Sequence, residues 1–248
     1  MKSLTCILIL TALAACTRKD NKKEILSAKF TQEGGSTTKC LFRMYSDSTY
    51  TFDIHEYQEY RHEKNEIFRG RYLLKGDSIV FFPFAFYFLN AETALIKNNY
   101  LEFVDGKMPF KMKVLYNDMF EYKGVDSVRY KNYSFFTYDT AFYHQFSEEM
   151  TPYDLTNEDL VKIESIMTPC IKDAGLDVAL SKYFKQCIAV KNKNDERVVW
   201  INFLCDTRDI ERLKCFVIYT NDGGDCFFNV KINLDKEACY DLSINGSA

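Results

Sequence analysis

The chain has 248 residues, with 32 Lys and Arg against 35 Asp and Glu and a formal net charge of −3 at pH 7. Its 47% hydrophobic and 27% charged content is the profile of a folded chain and not of a disordered one. The near-balanced charge supplies no basic field for phosphates, which excludes nucleic acid as a partner.

Met1-Lys2-Ser3 is a short basic start, followed from Leu4 to Ala15 by an uncharged run rich in Leu, Ile and Ala. As a helix, about a dozen residues reach roughly 18 Å, well short of a ~30 Å hydrocarbon core. The run therefore reads as the apolar region of a signal peptide, and it ends in Leu13-Ala14-Ala15-Cys16. That tetrad resembles the lipobox of bacterial lipoproteins at all four positions. The resemblance implies a signal peptide over residues 1–15, cleavage before Cys16, and acylation of the Cys16 thiol and then of its new amine. Two or more acyl chains of the palmitate type hold a protein stably on a membrane without a spanning helix.

Residues 16–24 read as a polar tether, in which Arg18, Lys19, Lys22 and Lys23 outnumber Asp20 and Glu24 and suit anionic head groups. Position 17 is Thr and not Asp, which by resemblance to the enterobacterial sorting rule favours the outer membrane. Surface-exported lipoproteins of the Bacteroidetes often carry an acidic run after the cysteine. Its absence here favours a body facing the periplasm. The expected location is thus the cell envelope, by lipid anchor.

Residues 25–150 are expected to form a β-rich domain, in keeping with 21 Phe and 17 Tyr in the chain. Tyr50, Phe52 and Ile54 alternate onto one face. Ile67–Leu74 and Ser78–Phe82, joined through Lys75-Gly76-Asp77, read as a hairpin. Tyr100–Val104 and Phe110–Leu115 add two strands around Asp105-Gly106. Such a meander predicts an antiparallel barrel or sandwich. The cadence from Gly70 to Phe81 resembles the small lipocalin-like barrels of envelope lipoproteins. The aromatic run from Ile79 to Leu89 reads as a buried strand bent at Pro83 more than as a ligand-lining surface. The stretch 117–153 reads as a linker or as closing strands of this domain.

Residues 151–248 are expected to form an α+β domain of one helix on an antiparallel sheet. Thr156 is a good N-cap with Glu158 and Asp159 after it, Leu160, Ile163, Met167 and Cys170/Ile171 recur at helical spacing, and Pro169 is expected to end or kink the helix. Val198–Cys205 is apolar on both faces and reads as a central strand. Leu213–Tyr219 and Cys226–Ile232 flank Asn221-Asp222-Gly223-Gly224 and predict a hairpin, with 183–190 and 240–244 as outer strands. This half resembles a group of uncharacterised Bacteroidetes proteins through Lys185-Gln186, Val199-Trp200-Ile201-Asn202 with Cys205, Asp222-Gly223-Gly224 with Phe228, and Asn245-Gly246. The resemblance implies a fold and no mechanism.

Beyond Cys6 and Cys16, seven cysteines remain: 40, 170, 187, 205, 215, 226 and 239. None stands at C-x-x-C spacing, which weakens a zinc or thioredoxin-like site, and most lie in apolar runs. Buried free thiols are expected over a disulfide framework. His55-Glu56-Tyr57-Gln58-Glu59 begins like a zinc-protease helix but has Glu where the second His must stand, so a solvated hairpin tip is the better reading. No nucleophile elbow, phosphate loop or dinucleotide fingerprint occurs, and no catalytic, cofactor or metal residue is assigned.

The expected function is therefore that of a membrane-anchored, non-enzymatic envelope protein that binds another envelope component. The alternatives are a carrier or sensor of a small apolar ligand in the β domain, and a hydrolase or metal enzyme using His55, His62 or His144. Cys16→Ser should move the protein from the membrane pellet to the soluble fraction and abolish incorporation of labelled palmitate. Unchanged sedimentation and labelling would remove the lipobox reading.

Overall fold

A computed structural model describes residues 22–246 except 33–35, 59–60, 84–89, 122–123, 142 and 147–149, with the side chains at 36, 58, 61 and 62 also left aside. Cys16, the signal segment and most of the tether lie outside the described residues, as does 84–89 of the aromatic run.

Eight strands follow in order: β1 (Glu24–Gln32), β2 (Ser36–Tyr45), β3 (Thr49–Gln58), β4 (Arg61–Lys75), β5 (Ser78–Phe82), β6 (Thr93–Lys97), β7 (Tyr100–Val104) and β8 (Phe110–Asn117). Each pairs antiparallel with the next, and β8 pairs back onto β1 to close a barrel. Period-two alternation sends Leu26, Ala28 and Phe30 of β1, Phe42 and Met44 of β2, and Tyr50, Phe52 and Ile54 of β3 into the interior. Lys29, His55, Arg69, Arg71 and Lys113 stand exposed on the outer wall. The interior is apolar, and the outer wall mixes these charges with exposed apolar side chains such as Ile67, Leu73 and Leu115.

An eight-stranded barrel is just wide enough for its own side chains to fill. Here Phe42, Phe81, Phe103 and Phe110 meet with ring centroids 5.4–6.0 Å apart. The interior accordingly holds side chains where a ligand would have to sit. Tyr50 also reaches across to donate its hydroxyl proton to the Pro83 carbonyl. Its ring passes over Gly70, where a Cβ would collide with the Phe82 carbonyl and the Tyr50 ring.

The second unit comprises β9 (Tyr133–Thr137), β10 (Thr151–Pro152), β11 (Phe184–Lys191), β12 (Arg197–Leu204), β13 (Phe227–Asn233) and β14 (Ala238–Ile244), with helices α1 (Asn157–Asp173) and α2 (Ile210–Cys215). The sheet order is β10-β11-β12-β13-β14, and β9 lies parallel to β11. The chain is therefore α+β, a closed barrel beside a mostly antiparallel sheet. Thr156 and Asp159 form the expected capping box, and α1 runs through Pro169, burying Leu160, Ile163, Met167 and Ile171 on the sheet. Asp159 also accepts from Arg197 at 2.7 Å, and the same guanidinium binds Asp235, so the helix start is tied to both strands at one end of the antiparallel β12–β13 pair.

Four expectations change. The stretch 117–153 places Tyr133–Thr137 in the second sheet, with Val125 and Tyr130 in its core, instead of linking the units or closing the barrel. Strand β11 is interior and not outer, since β9 and β10 share its far edge. The run 213–219 is no hairpin arm. Asp209 caps α2 by accepting from the Arg212 N–H at 3.1 Å, and β13 pairs with β12 and β14 instead. A short apolar run reads equally as strand or buried helix turn, and the cap decides here.

The cysteines are also mostly paired: Cys170–Cys239 joins α1 to β14, and Cys205–Cys226 closes the excursion between β12 and β13. Their Cα atoms are 6.4 and 5.0 Å apart although the residues are 69 and 21 positions apart. Sequence spacing carries no trace of that proximity. Cys40, Cys187 and Cys215 remain free and buried.

The barrel docks on β9. Parallel pairing engages alternate residues, and with Lys185 N–H bonded to the Asn132 carbonyl, the Phe135 C=O and Thr137 N–H of β9 face away from β11. Two side chains of the barrel wall meet them. Glu102 accepts from the Thr137 N–H at 2.8 Å and from its hydroxyl at 2.9 Å. Lys111 donates to the Phe135 carbonyl at 2.7 Å and to Ser134 Oγ at 2.8 Å, with its ammonium 3.9 Å from the Phe136 ring centroid. Glu102 and Lys111 are direct partners across β7 and β8, and both are almost fully buried.

Glu102→Ala would leave the Thr137 N–H without its acceptor in a dry interface, a cost of about 1–3 kcal/mol. Urea unfolding should show that loss, and an unchanged midpoint and slope would deny the docking role.

Candidate functional site

A cleft of about 600 Å³ opens where the barrel and second unit meet. One wall is barrel: Leu95, Ile96 and Lys97 of β6, the Asn98 turn, and Glu102 of β7. The other is the second sheet, where Phe135, Cys187 and Ala189 form an apolar floor. Met119 and Phe120 close one side, and the segment leading into α1, from Tyr153 to Glu158, forms the opposite lip.

Local chemistry sets each piece. Asn98 and Asn99 both have positive φ, of 50° and 65°, the pattern of a tight hairpin turn that Asn tolerates. The Asn98 side chain accepts from the Val125 N–H at 3.0 Å, drawing the 124–125 segment onto the barrel. Gly124 permits this approach, because a Cβ there would lie 3.1 Å from Asn98 Cα. At the rim, Lys97 donates to Asp154 at 2.7 Å and to Thr137 Oγ1 at 3.2 Å. Thr137 is thus shared between Lys97 and Glu102, and it joins the rim to the buried docking pair. Cys187 on the floor is buried, and burial pushes its thiol up to about 12, away from the reactive thiolate; Cys40 and Cys215 are raised likewise.

The histidines fall elsewhere. His55 is exposed on β3, with Nδ1 2.5 Å from Asn65 Oδ1 across the hairpin, beside a shallow hollow of about 310 Å³ on the barrel's outer wall. His62 follows on β4, its side chain outside the described residues. His144 is exposed in the segment after β9, next to Tyr143, which packs against the other face of the second sheet. The fold does not gather the three. Among the described residues no three His, Cys, Asp or Glu side chains are placed to hold a metal ion.

Several of the residues that carried the C-terminal resemblance hold backbone in place. Gln186, fully buried, donates to the Leu213 and Phe216 carbonyls at 2.7 Å each and accepts from the Ile218 N–H at 2.9 Å. Asn202, its cross-strand partner, donates to the Ile218 carbonyl at 2.8 Å. Together these two amides supply hydrogen bonds that a neighbouring strand would otherwise give to 213–218. Lys185 donates to the Leu180 and Tyr183 carbonyls, and Trp200 to Asn229. Asn245 donates to the Thr220 carbonyl at 2.6 Å, while Gly223, at φ 95°, makes the turn that precedes β13.

Sequence reasoning missed the cleft, whose walls come from positions scattered between 77 and 189. The available signals were the positive-φ asparagines and a lysine and a glutamate inside apolar strands. Comparison of the chain with protein-family models, with curated proteins and with solved structures gives no match.

Behind the cleft, burial pulls Lys111 down from 10.5 to about 8 against the attraction of Glu102. Between about pH 8 and 10.5 the unfolded chain holds a proton that the folded chain has released. The contribution of Lys111 to stability therefore rises with pH across that window. Relative to Lys111→Met, the wild-type protein should gain stability between pH 7 and pH 9.5 in urea titrations, buried thiols and tyrosines being common to both. A pH-independent difference would contradict this account.

Proposed function

We propose that the chain is a non-enzymatic binding protein of the bacterial cell envelope, anchored through lipid on Cys16 and facing the periplasm from the outer membrane. It binds a small, largely apolar ligand in the cleft between the barrel and the second sheet. The cleft itself carries this reading: about 600 Å³, within the range of small-molecule sites, with an apolar floor of Phe135, Cys187 and Ala189 below walls and a rim rich in polar and acidic side chains.

Other features support the setting. Two disulfides suit an oxidising compartment. The up-and-down strand order is the one lipocalin-like barrels use, and we read the barrel as related to those of envelope lipoproteins. The ligand is placed outside the barrel because aromatic rings occupy its interior. Binding is preferred to turnover because Lys97 and Glu102 are engaged with Asp154 and Thr137, and no cysteine or serine nucleophile stands beside a histidine base in the described lining.

Filling the cleft tests the reading. Nile red, a neutral apolar dye, should bind the purified protein saturably. Ala189→Phe on the floor and Leu95→Trp on the barrel wall should each weaken that binding at least about tenfold while the far-ultraviolet dichroism stays unchanged. Saturable binding that survives whichever variant folds would place the ligand elsewhere.

A further inference from the structure

The charge around the cleft is lopsided. Among its described lining residues the acids are Asp77, Glu102, Glu121, Asp154 and Glu158, and the base is Lys97. The lysine's charge is already taken by Asp154, and Glu102 is turned inward onto Thr137. Glu121 and Glu158, both exposed at the rim, have no hydrogen bond or ion pair among the described residues. Their carboxylates stand above a floor of Phe135, Cys187 and Ala189. An apolar body on that floor would place its polar end among carboxylates.

We infer that the cleft selects an apolar molecule bearing a protonated amine, an inference that rests on the cleft being a binding site. An anionic head of the same length would meet like charge at the rim, and the one lysine there already has its charge matched by Asp154. A neutral head would gain nothing from the acids. The rim is partly solvated, so each charge contributes weakly, and salt weakens the preference further.

Three probes of equal chain length separate the possibilities: dodecylammonium, dodecanol and dodecanoate, each below its aggregation limit, titrated calorimetrically into the full chain. Dodecylammonium should bind about tenfold more tightly than dodecanoate at low salt, with dodecanol between them. The gap should narrow at high salt and in the double variant Glu121→Gln, Glu158→Gln, whose exposed positions leave the fold intact. Equal affinities that are lost together in Ala189→Phe or Leu95→Trp would overturn the amine preference and keep the cleft as the site. Tighter binding of dodecanoate would reverse the inference. Failure of all three to bind, or binding untouched by the filling variants, would overturn the binding reading itself.

Discussion

One carboxylate and one ammonium on the barrel wall complete the open edge of β9, and the arrangement of the whole chain depends on that contact. A strand edge presents N–H and C=O groups that must find partners or water. Glu102 supplies an acceptor to Thr137 and Lys111 a donor to Phe135, so the barrel acts as the missing neighbour of the sheet without adding a strand to it. Burying two ionised groups is costly unless each is fully bonded. Here the lysine also faces an aromatic ring, and the carboxylate takes both the N–H and the hydroxyl of one threonine. Such a contact holds one register only, because a one-residue slip of β9 would present the wrong backbone groups to both side chains.

The same device recurs inside the second unit. Gln186 and Asn202 stand in a sheet that is otherwise apolar, and their amides hold the backbone of 213–218 where a strand might have paired. Phe216, positioned by this clamp, packs against Phe30 and Phe110 of the barrel at 5.3 and 5.2 Å between centroids. Polar side chains thus fix irregular backbone, and the irregular backbone carries an aromatic anchor across to the barrel. Gln186 and Asn202, among the residues that carried the resemblance, are explained by what they support.

Elements defined by local chemistry were legible in the sequence. Tyr50, Phe52 and Ile54 alternate as a barrel strand must, Thr156 and Asp159 announce their helix, and the apolar run from Val198 marks the centre of the sheet. Features set by long-range contact were not. Leu213–Tyr219 has the composition of a strand, and only Asp209 together with the two buried amides turns it into a helix and a clamped loop. Cys170 meets Cys239 because a helix crosses the sheet, which no spacing records. The cleft is composed of the β6–β7 hairpin, a post-barrel segment, strands β9 and β11 and a helix entry, which lie far apart along the chain.

The bond between Lys23 and Asp118 has a consequence for where the cleft can go. It ties the start of the described chain to the end of β8, and Met119, Phe120 and Glu121 of the cleft wall come directly after it. From Cys16 to Lys23 is seven residue steps, at most about 25 Å when fully extended. An acylated Cys16 would therefore work as a short leash fastened beside the mouth, not on the far side of the body. The opening would then sweep a shell only a few nanometres deep over the bilayer. Molecules residing in that leaflet would meet it at the high local concentration that short tethers create, and those free in bulk solution would not.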